Sequence, residues 1–469
     1  MNLCQKLDNV IPPGIRRWLG LALAIFDVFF FGGYHYGFNS LITVYKSVGV
    51  YAYNCTAGEC MYHYDMFGVV FNVWMVSQMC LIVFAGILMD KVGLRILKLL
   101  AVVVYFVGTV MFAFITGERV PLFYAAGILV ALSSICSLIC NHQVSSMFPQ
   151  FRGLCISLLS GAYDSSTVIA YVISLTYLMF PFKWSFLILA SGSVVVGSFL
   201  ALFILTQKSE DMGKFSSISK EEENLCEKAS IESLGEMDIY GEISSILDKR
   251  YPSLLSCVFS LPYLLINLWF TLGLFRFSFY LSHLAKHIND MYSDDKPLAA
   301  HLLSISSAFF MSSFLLSPVT GLMIDFCLKR ARTGIQNMLT KGRDLAMPDK
   351  MYYTLTLGLV PGLGLLAVSA VALSAMMFIP NYIATYASFV FLVVLRSLLF
   401  SCFISFLLSA FPIRYFGTLN GITSAVSGLI SLSQNAFHQT SRSIDNFVTM
   451  AISIGIFIAP IIFMIKARK

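Results

Sequence analysis

Four charged side chains interrupt long apolar stretches of this 469-residue chain, in which only 12% of the residues are charged. They are Asp27, Asp164, Arg276 and Arg396. A charge placed in hydrocarbon costs about 3 kcal/mol on insertion scales, so the four would cost on the order of 10 kcal/mol unless each is paired or hydrated. We therefore predict that these side chains face a partner or a water-filled cavity inside a helical bundle.

The two acids lie in the first half of the chain and the two bases in the second. A free amino acid carries an ammonium and a carboxylate group, and this division offers each a partner; the planar fork of an arginine can hold both carboxylate oxygens. Two alternatives stay open. The acids and bases could bind one another as structural or gating salt bridges, or Asp27 or Asp164 could carry a coupled proton, assisted by His35 or His142.

Small and polar residues extend these charged positions along the same helical faces. Gly161 and Ser165 flank Asp164, and Ser401 and Ser405 continue at four-residue spacing from Ser397. Small residues also allow helices to pack closely without any ligand. The predicted substrate-binding residues are Asp27, Asp164, Arg276, Arg396, Tyr34, Asn39, Tyr163, Ser165, Tyr280 and Ser397.

The composition requires a bilayer around most of the chain. Hydrophobic residues make up 58% and aromatic residues 14%, whereas soluble domains have roughly 25% charged residues. Long unbroken apolar runs favour membrane helices over a barrel, whose strands alternate. We predict an all-α membrane protein. No nucleotide-binding loop, catalytic triad or metal-ligand spacing is found, so we expect no enzyme activity, cofactor or metal. The net charge is +6, but the basic residues are concentrated in particular loops and do not indicate nucleic-acid binding.

Twelve hydrophobic segments are long enough to cross the membrane, which takes a helix of about 20 apolar residues. They lie at roughly 17–45, 67–89, 96–116, 121–147, 153–180, 184–207, 253–285, 298–325, 353–378, 382–410, 415–438 and 446–465. The polar stretch between the sixth and seventh divides the chain into an N-terminal six-helix bundle (1–207), a cytoplasmic linker (208–252) and a C-terminal six-helix bundle (253–469). We expect the linker to be a tether rather than a regulatory element.

Basic residues predict the orientation of these segments. With the N-terminus inside, 23 of the 31 Lys and Arg residues fall on the cytoplasmic side and six outside. Such a bias predicts that both termini are cytoplasmic. We expect a multi-pass protein of the plasma membrane; the sequence gives no oligomeric state.

Two loop motifs occur once in each half. The loop after the second segment reads GILMDKVGLR, with Gly86, Asp90, Lys91, Gly93 and Arg95, and the loop after the eighth reads GLMIDFCLKR, with Gly321 and Asp325. Residues 147–153 are likewise echoed by 410–417. Duplicated bundles of this kind place the substrate near the midplane between them.

The first loop closely resembles the cytoplasmic signature of the major facilitator superfamily. The resemblance implies two pseudo-symmetric six-helix bundles and a motif that latches the cytoplasmic gate. Because the second copy lacks the second glycine, we expect it to latch weakly or not at all.

The run NHQVSSMFPQFRG…LLSGAYDSSTVI resembles one branch of this superfamily. The branch includes the sodium-independent large-neutral-amino-acid facilitators, an equilibrative nucleobase carrier and the apicomplexan amino-acid transporters. The resemblance implies amino-acid transport by facilitated diffusion, and Arg276 before Phe279 and Tyr280 is similar to the amino-acid carriers. Neutral, aromatic and cationic amino acids stay open. So do a nucleobase or other small organic solute, proton-coupled symport, and a sensor that binds solute without transporting it.

Two of the eleven cysteines, Cys55 and Cys60, fall in the first predicted outside loop. An oxidising exterior would allow a disulfide between them. The alternative modification is glycosylation of Asn54 in the sequon Asn54-Cys55-Thr56.

Overall fold

The computed structural model describes residues 10–51, 61–216, 241–292, 295–340, 347–437 and 442–468. These residues are almost entirely helical, and none of them forms a strand. Grouped along the chain, the described helices form twelve segments, α1–α12, at the predicted positions. The predicted all-α architecture is confirmed.

The first half comprises six segments, three of which are interrupted or change helix type. The bounds are α1, Pro13–Phe31 and Phe38–Ser47; α2, Met61–Lys91; α3, Leu94–Ala113; α4, Val120–His142; α5, Arg152–Ser165 and Thr167–Thr176; α6, Phe182–Phe199, continued by the π-helix Leu200–Ile204.

The second half repeats the pattern after a short helix at Leu254–Val258. The bounds are α7, Leu261–Met291; α8, Lys296–Met311 and Ser313–Thr340; α9, Met347–Leu357 and Val360–Met376; α10, Tyr382–Ala410; α11, Phe416–Ser431; α12, Arg442–Gly455 and Ile458–Arg468. The exact boundaries of the bundles and the linker stay a prediction.

Nine helical spans within the described residues have the length and hydropathy needed to cross a membrane. Large apolar side chains are exposed along these spans, among them Phe84, Val195 and Val368. An exposed apolar surface of this extent is stable only against lipid. The protein is therefore a multi-pass integral membrane protein.

The two halves meet along α2 and α11, and along α5 with α8 and α10. Glycines permit both close crossings. A Cβ on Gly86 would lie 2.0 Å from the carbonyl oxygen of Gly417, and a Cβ on Gly321 would lie 2.5 Å from the Cα of Leu154. Any larger side chain would push the helices apart.

Both described ends of the predicted linker pack against helices. Near its start, the guanidinium of Arg16 lies 4.0 Å from the ring centre of Phe215. Near its end, residues 241–250 form a helix, Tyr251 donates a 2.9 Å hydrogen bond to Tyr352, and Arg250 pairs with Asp349. The described parts of this stretch are therefore docked on the helical bundles.

A candidate solute site between the two halves

Asp164 of α5 and Arg396 of α10 form a buried ion pair that joins the two halves. The Nη2 and Nε atoms of Arg396 donate to the same carboxylate oxygen of Asp164, over 2.7 and 2.9 Å. Their side chains are only 5% and 7% exposed, for Arg396 and Asp164 respectively. The charges therefore satisfy one another in this conformation, as the salt-bridge alternative predicted.

Breaks in two helices bring polar groups to this pair. α5 is interrupted after Ser165, and α8 is interrupted at Ser312, before Ser313. The hydroxyl of Ser313 donates to the second carboxylate oxygen of Asp164 over 3.5 Å, and the amide of Phe314 donates to Ser165 over 3.2 Å. Interrupted helices are tolerated at membrane depth where they line a cavity or are buried in protein.

Aromatic rings surround the guanidinium of Arg396. Its central carbon lies 4.2 Å from the ring centre of Phe400, 4.7 Å from that of Phe277 and 5.4 Å from that of Tyr36. Tyr36 lies in the first half and the two phenylalanines in the second. Tyr163 lies 5.9 Å from Tyr36, ring centre to ring centre. The charged pair is therefore enclosed by rings from both halves.

Buried hydroxyl groups without partners occur on the same two helices. Ser157 of α5 and Ser401 and Ser405 of α10 have no hydrogen-bond partner among the described residues. A buried hydroxyl without a partner costs about 1–3 kcal/mol. These positions would be stabilised by water or by a polar solute.

Asp27 has its partners within the first half and does not pair with Arg276 or Arg396, which the salt-bridge alternative allowed. It accepts hydrogen bonds from Lys98 of α3 over 2.5 Å, and from Asn141 and Ser137 of α4 over 2.7 and 2.9 Å. Lys98 is completely buried. The sequence analysis counted this lysine with the cytoplasmic bases, so it missed that Lys98 is buried inside the first half.

Arg276 also contacts its own half. Its Nε atom donates to Ser374 of α9 over 2.8 Å, and its guanidinium lies 5.6 Å from the ring centre of Tyr280. No described contact joins it to the Asp164–Arg396 pair.

Of the remaining predicted site residues, some lie beside the Asp164–Arg396 pair and others bond only within their own half. Ser165 and Tyr163 lie beside the charged pair, as described above. The hydroxyls of Tyr34, Tyr280 and Ser397 bond to Thr109, Ser388 and Thr320, which belong to the same half in each case. The side chain of Asn39 lies outside the described part of the chain, as do Cys55 and Cys60.

The aspartates of the two loop motifs each cap a helix of the opposite half. Asp90 of α2 accepts the amides of Gly417 and Thr418, at 3.0 and 2.7 Å, at the start of α11. Asp325 of α8 accepts those of Gly153 and Leu154, at 2.6 and 2.8 Å, at the start of α5. A carboxylate there satisfies free amides and the positive end of the helix dipole.

The second cap thus forms as completely as the first, contrary to the expectation of a weak latch. Asp325 needs only the free amides at the start of α5. The glycine that is absent from the second loop motif would not supply either amide. Gly93, the glycine present in the first copy, has a φ of +118° and allows the tight turn into α3. It shapes its own loop and makes no part of the cap.

The basic residues of the first motif have different surroundings. Arg95 is buried and donates to the carbonyl oxygens of Ala201 and Leu205 at the end of α6, over 3.0 and 2.8 Å. Lys91 is exposed. Arg95 therefore ties α3 to α6 within the first half.

The profile of the Major Facilitator Superfamily matches residues 21–433. The chain belongs to the major facilitator superfamily. It is a membrane transporter rather than an enzyme, and its twelve segments in two pseudo-symmetric halves form the major facilitator fold.

Two transporters are similar to this chain in sequence. The chain is 24% identical over 439 residues to equilibrative nucleobase transporter 1 of Bos taurus, covering 88% of this chain and 87% of that one. It is 23% identical over 193 residues to large neutral amino acids transporter small subunit 3 of Homo sapiens. That match covers 36% of this chain and about a third, 34%, of the human protein.

A solved structure has the same fold over almost the whole chain. It is the major facilitator proton:xylose symporter XylE bound to 6-bromo-6-deoxy-D-glucose. The TM-score is 0.63 at 11% sequence identity, with 96% of each chain covered. This likeness concerns the fold.

Sequence reasoning missed several residues around the charged pair. Tyr36, Phe277 and Phe400 look like ordinary apolar helix residues in the sequence. Gln78 is completely buried, and its Oε1 atom lies 3.3 Å from the Nε2 atom of His35. A buried glutamine in an apolar run was the one signal that could have indicated this neighbourhood.

Proposed function

We propose that this transporter moves amino acids across the plasma membrane by alternating access, as facilitated diffusion without sodium. The observation that carries the proposal is the buried Asp164–Arg396 pair, which places one charge of each sign at the meeting of the two halves. A zwitterion has the complementary pair of charges. Few other small solutes would use both.

In the proposed cycle, the solute exchanges partners with the ion pair. Its ammonium replaces Arg396 beside Asp164, and its carboxylate takes the fork of Arg396. While the site is empty, the two side chains neutralise one another, so no unpaired charge is left in the membrane. The contacts of the solute replace the ion pair between Asp164 and Arg396. The pair then no longer holds the two halves together, and they can separate.

The rings around Arg396 would receive the solute's side chain. Tyr36 moves with the first half, whereas Phe277 and Phe400 move with the second. An apolar or aromatic side chain between them would contact both halves. This arrangement favours neutral amino acids over cationic ones, because a second cation would face Arg396.

The two aspartate caps would close the predicted cytoplasmic side in this conformation. For the site to open to that side, Asp90 must leave the start of α11 and Asp325 the start of α5. Both halves then expose a carboxylate and a helix end to water, which solvates them. The caps would thus form and break once per transport cycle.

A nucleobase is the second candidate cargo. The match to the bovine nucleobase transporter covers most of both chains, whereas the match to the human amino-acid transporter covers about a third. A planar base could stack on Tyr36 or Phe400 and bond to Asp164 through its ring N–H groups. It would not need both charges of the pair.

Competition in proteoliposomes tests the proposal. Uptake of a labelled neutral amino acid and of a labelled nucleobase is measured against unlabelled amino acids, amino-acid amides and nucleobases. We expect amino acids to be taken up and to compete, and their amides, which lack the carboxylate, to fail. Uptake of nucleobases alone would overturn the amino-acid proposal. Binding without any uptake would indicate a sensor.

A matched pair of double variants adds a second test. Asp164→Asn with Arg396→Gln removes both charges at the meeting of the halves, and Asp27→Asn with Lys98→Met removes both within the first half. We expect the first to lose amino-acid uptake and the second to keep it. The opposite result would assign substrate recognition to the first half alone.

A further inference from the structure

The second half contains a buried cation without a counter-charge. Arg276 is 1% exposed, and among the described residues no carboxylate lies within ion-pair distance of it. Its Nε atom donates to Ser374, and its Nη2 atom has no hydrogen-bond partner in the part of the chain that the structure describes. The guanidinium therefore still has a donor to offer.

The hydrogen-bond chain beyond Arg276 also ends without a negative charge. Ser374 lies 2.9 Å from the hydroxyl of Ser453 and 3.4 Å from the carbonyl oxygen of Thr449. Ser453 in turn donates to the same carbonyl over 2.8 Å. Every acceptor in this series of hydrogen bonds is neutral, so none of them balances the positive charge of Arg276.

The first half also contains a buried cation, Lys98, but there a carboxylate neutralises it. There, α1 and α3 contribute Asp27 and Lys98, which neutralise one another, and Asn141 completes the cluster. In the second half the equivalent helices α7 and α9 contribute Arg276 and Ser374. Among the described residues no carboxylate bonds to either of them, so this cation is not neutralised as Lys98 is.

We propose that Arg276, whose guanidinium is held by Ser374, binds a monovalent anion. A guanidinium stays protonated in proteins, so it cannot relieve its burial by losing a proton. Buried charges in proteins are paired, and an isolated one is strongly destabilising. An anion beside the Nη2 atom would supply the missing partner, and Ser374 would position the guanidinium for it through the bond from Nε. The chemistry fits two sources: a small inorganic anion such as chloride, or the carboxylate of the transported solute.

The two sources have different consequences. A free anion would be a resident part of the second half, bound whether or not solute is present. A solute carboxylate would make Arg276 a second contact for the cargo, and this source alone rests on the proposed function. The helices that hold Arg276 and Ser374, α7 and α9, belong to one half, so in either case the anion would move with that half.

Thermal unfolding of the purified, detergent-solubilised full chain tests the proposal without any transport measurement. The apparent Tm is followed while sodium chloride replaces a sodium salt of the bulky sulfonate HEPES at constant ionic strength. A ligand that binds only the folded state raises the Tm in a saturable way. We expect a rise on the order of 2 °C at saturating chloride.

Three variants identify the site. Arg276→Gln should abolish the chloride-dependent rise, Arg276→Lys should retain it, and Ser374→Ala should weaken the apparent affinity for chloride several-fold. The control is Asp164→Asn with Arg396→Gln, which removes another buried arginine of the second half. It should respond to chloride like the unaltered protein.

The second arm uses a neutral amino acid and its amide in the chloride-free salt. Because the proposed cycle binds the solute through Asp164 and Arg396, their double variant should lose any rise in Tm with the amino acid. A rise with the amino acid and not with its amide that is also lost in Arg276→Gln would assign the Arg276 site to the solute carboxylate. If the unaltered protein responds to neither chloride nor the amino acid, the proposal is overturned, even where Arg276→Gln does not fold. A failure to transport amino acids would leave the chloride result intact.

Discussion

At the scale of single residues, a buried ion pair responds differently to the loss of one charge and of both. Removing one partner leaves the other charge buried and unpaired, which costs about 3–5 kcal/mol. Removing both replaces a pair by neutral groups of similar size, which is often nearly neutral. The Asp164–Arg396 and Asp27–Lys98 pairs can therefore be assigned separate roles by comparing single and double variants.

For the pair that joins the two halves, we expect Asp164→Asn and Arg396→Ala each to lower amino-acid uptake roughly 100-fold, equivalent to about 3 kcal/mol. The reason is that each variant removes one of the two charges that bind the zwitterion. The measurement is initial uptake in proteoliposomes, normalised to reconstituted protein. Uptake that survives in both variants would reduce the pair to a structural salt bridge.

For the pair within the first half, we expect Asp27→Asn and Lys98→Met to lower stability, and the double variant to recover most of it. Each single change leaves one buried charge without its counter-ion, whereas the double change leaves none. Apparent Tm in detergent and the yield of folded protein report the difference. Equal losses in the single and double variants would show that the interaction between the two side chains contributes little.

The sequence placed the four charges it recognised inside the protein, because each is surrounded by apolar residues. It could not distinguish their partners, because Asp27 and Asp164 look alike in a linear reading. Lys98 was missed for a physical reason. It lies one helical turn after the start of α3, where a lysine is expected to reach the membrane surface. Only the fold shows that this turn is covered by α1 and α4.

At the scale of helices, the crossing of α2 and α11 depends on the absence of side chains. We expect Gly86→Leu to abolish transport, because its Cβ would lie 2.0 Å from the carbonyl oxygen of Gly417 and the halves could not close there. Gly364→Leu in α9 is the matched control, since a Cβ at Gly364 meets nothing within 4 Å. Uptake and the modification rate of a cysteine introduced at Thr418 report the effect. Equal behaviour of the two variants would show that the crossing is not part of the cycle.

The helix starts were partly predictable. The echo between residues 147–153 and 410–417 is visible in the sequence, and each stretch ends on a glycine, Gly153 or Gly417. The structure shows why. Each glycine is the second residue of its helix, α5 or α11, and its amide is bonded by the aspartate of the other half. The sequence could not show this pairing, because the aspartates lie far away along the chain.

At the scale of the whole molecule, the mode of transport can be separated from the identity of the cargo. We expect labelled amino acid to equilibrate across the proteoliposome membrane and not to accumulate when an inward proton gradient is imposed. Asp164 is engaged by Arg396 and Asp27 by Lys98, so neither acid is a free proton carrier in this conformation. Accumulation that collapses on adding a proton ionophore would instead establish proton coupling.

The twelve segments and their division into two related halves were predictable from hydropathy and repeated loop motifs. The helix interruptions in α1, α5 and α8 were not predictable, because no proline lies at these breaks to indicate them. The break in α1 follows from Gly32 and Gly33, which pack against Tyr163 at distances that no Cβ could tolerate. Such contacts exist only once the helices are assembled.

Both aspartate caps bind two main-chain amides, one from a glycine, Gly153 or Gly417, and one from the residue after it, Leu154 or Thr418. Substituting the side chain of Leu154 or Thr418 leaves the donor in place, and only proline would delete it. The glycines are different, because a Cβ on Gly153 would lie 2.8 Å from a carboxylate oxygen of Asp325 and one on Gly417 would lie 2.7 Å from a carboxylate oxygen of Asp90. Asp90 and Asp325 cannot change in this way either, since their carboxylate oxygens are the acceptors of both caps.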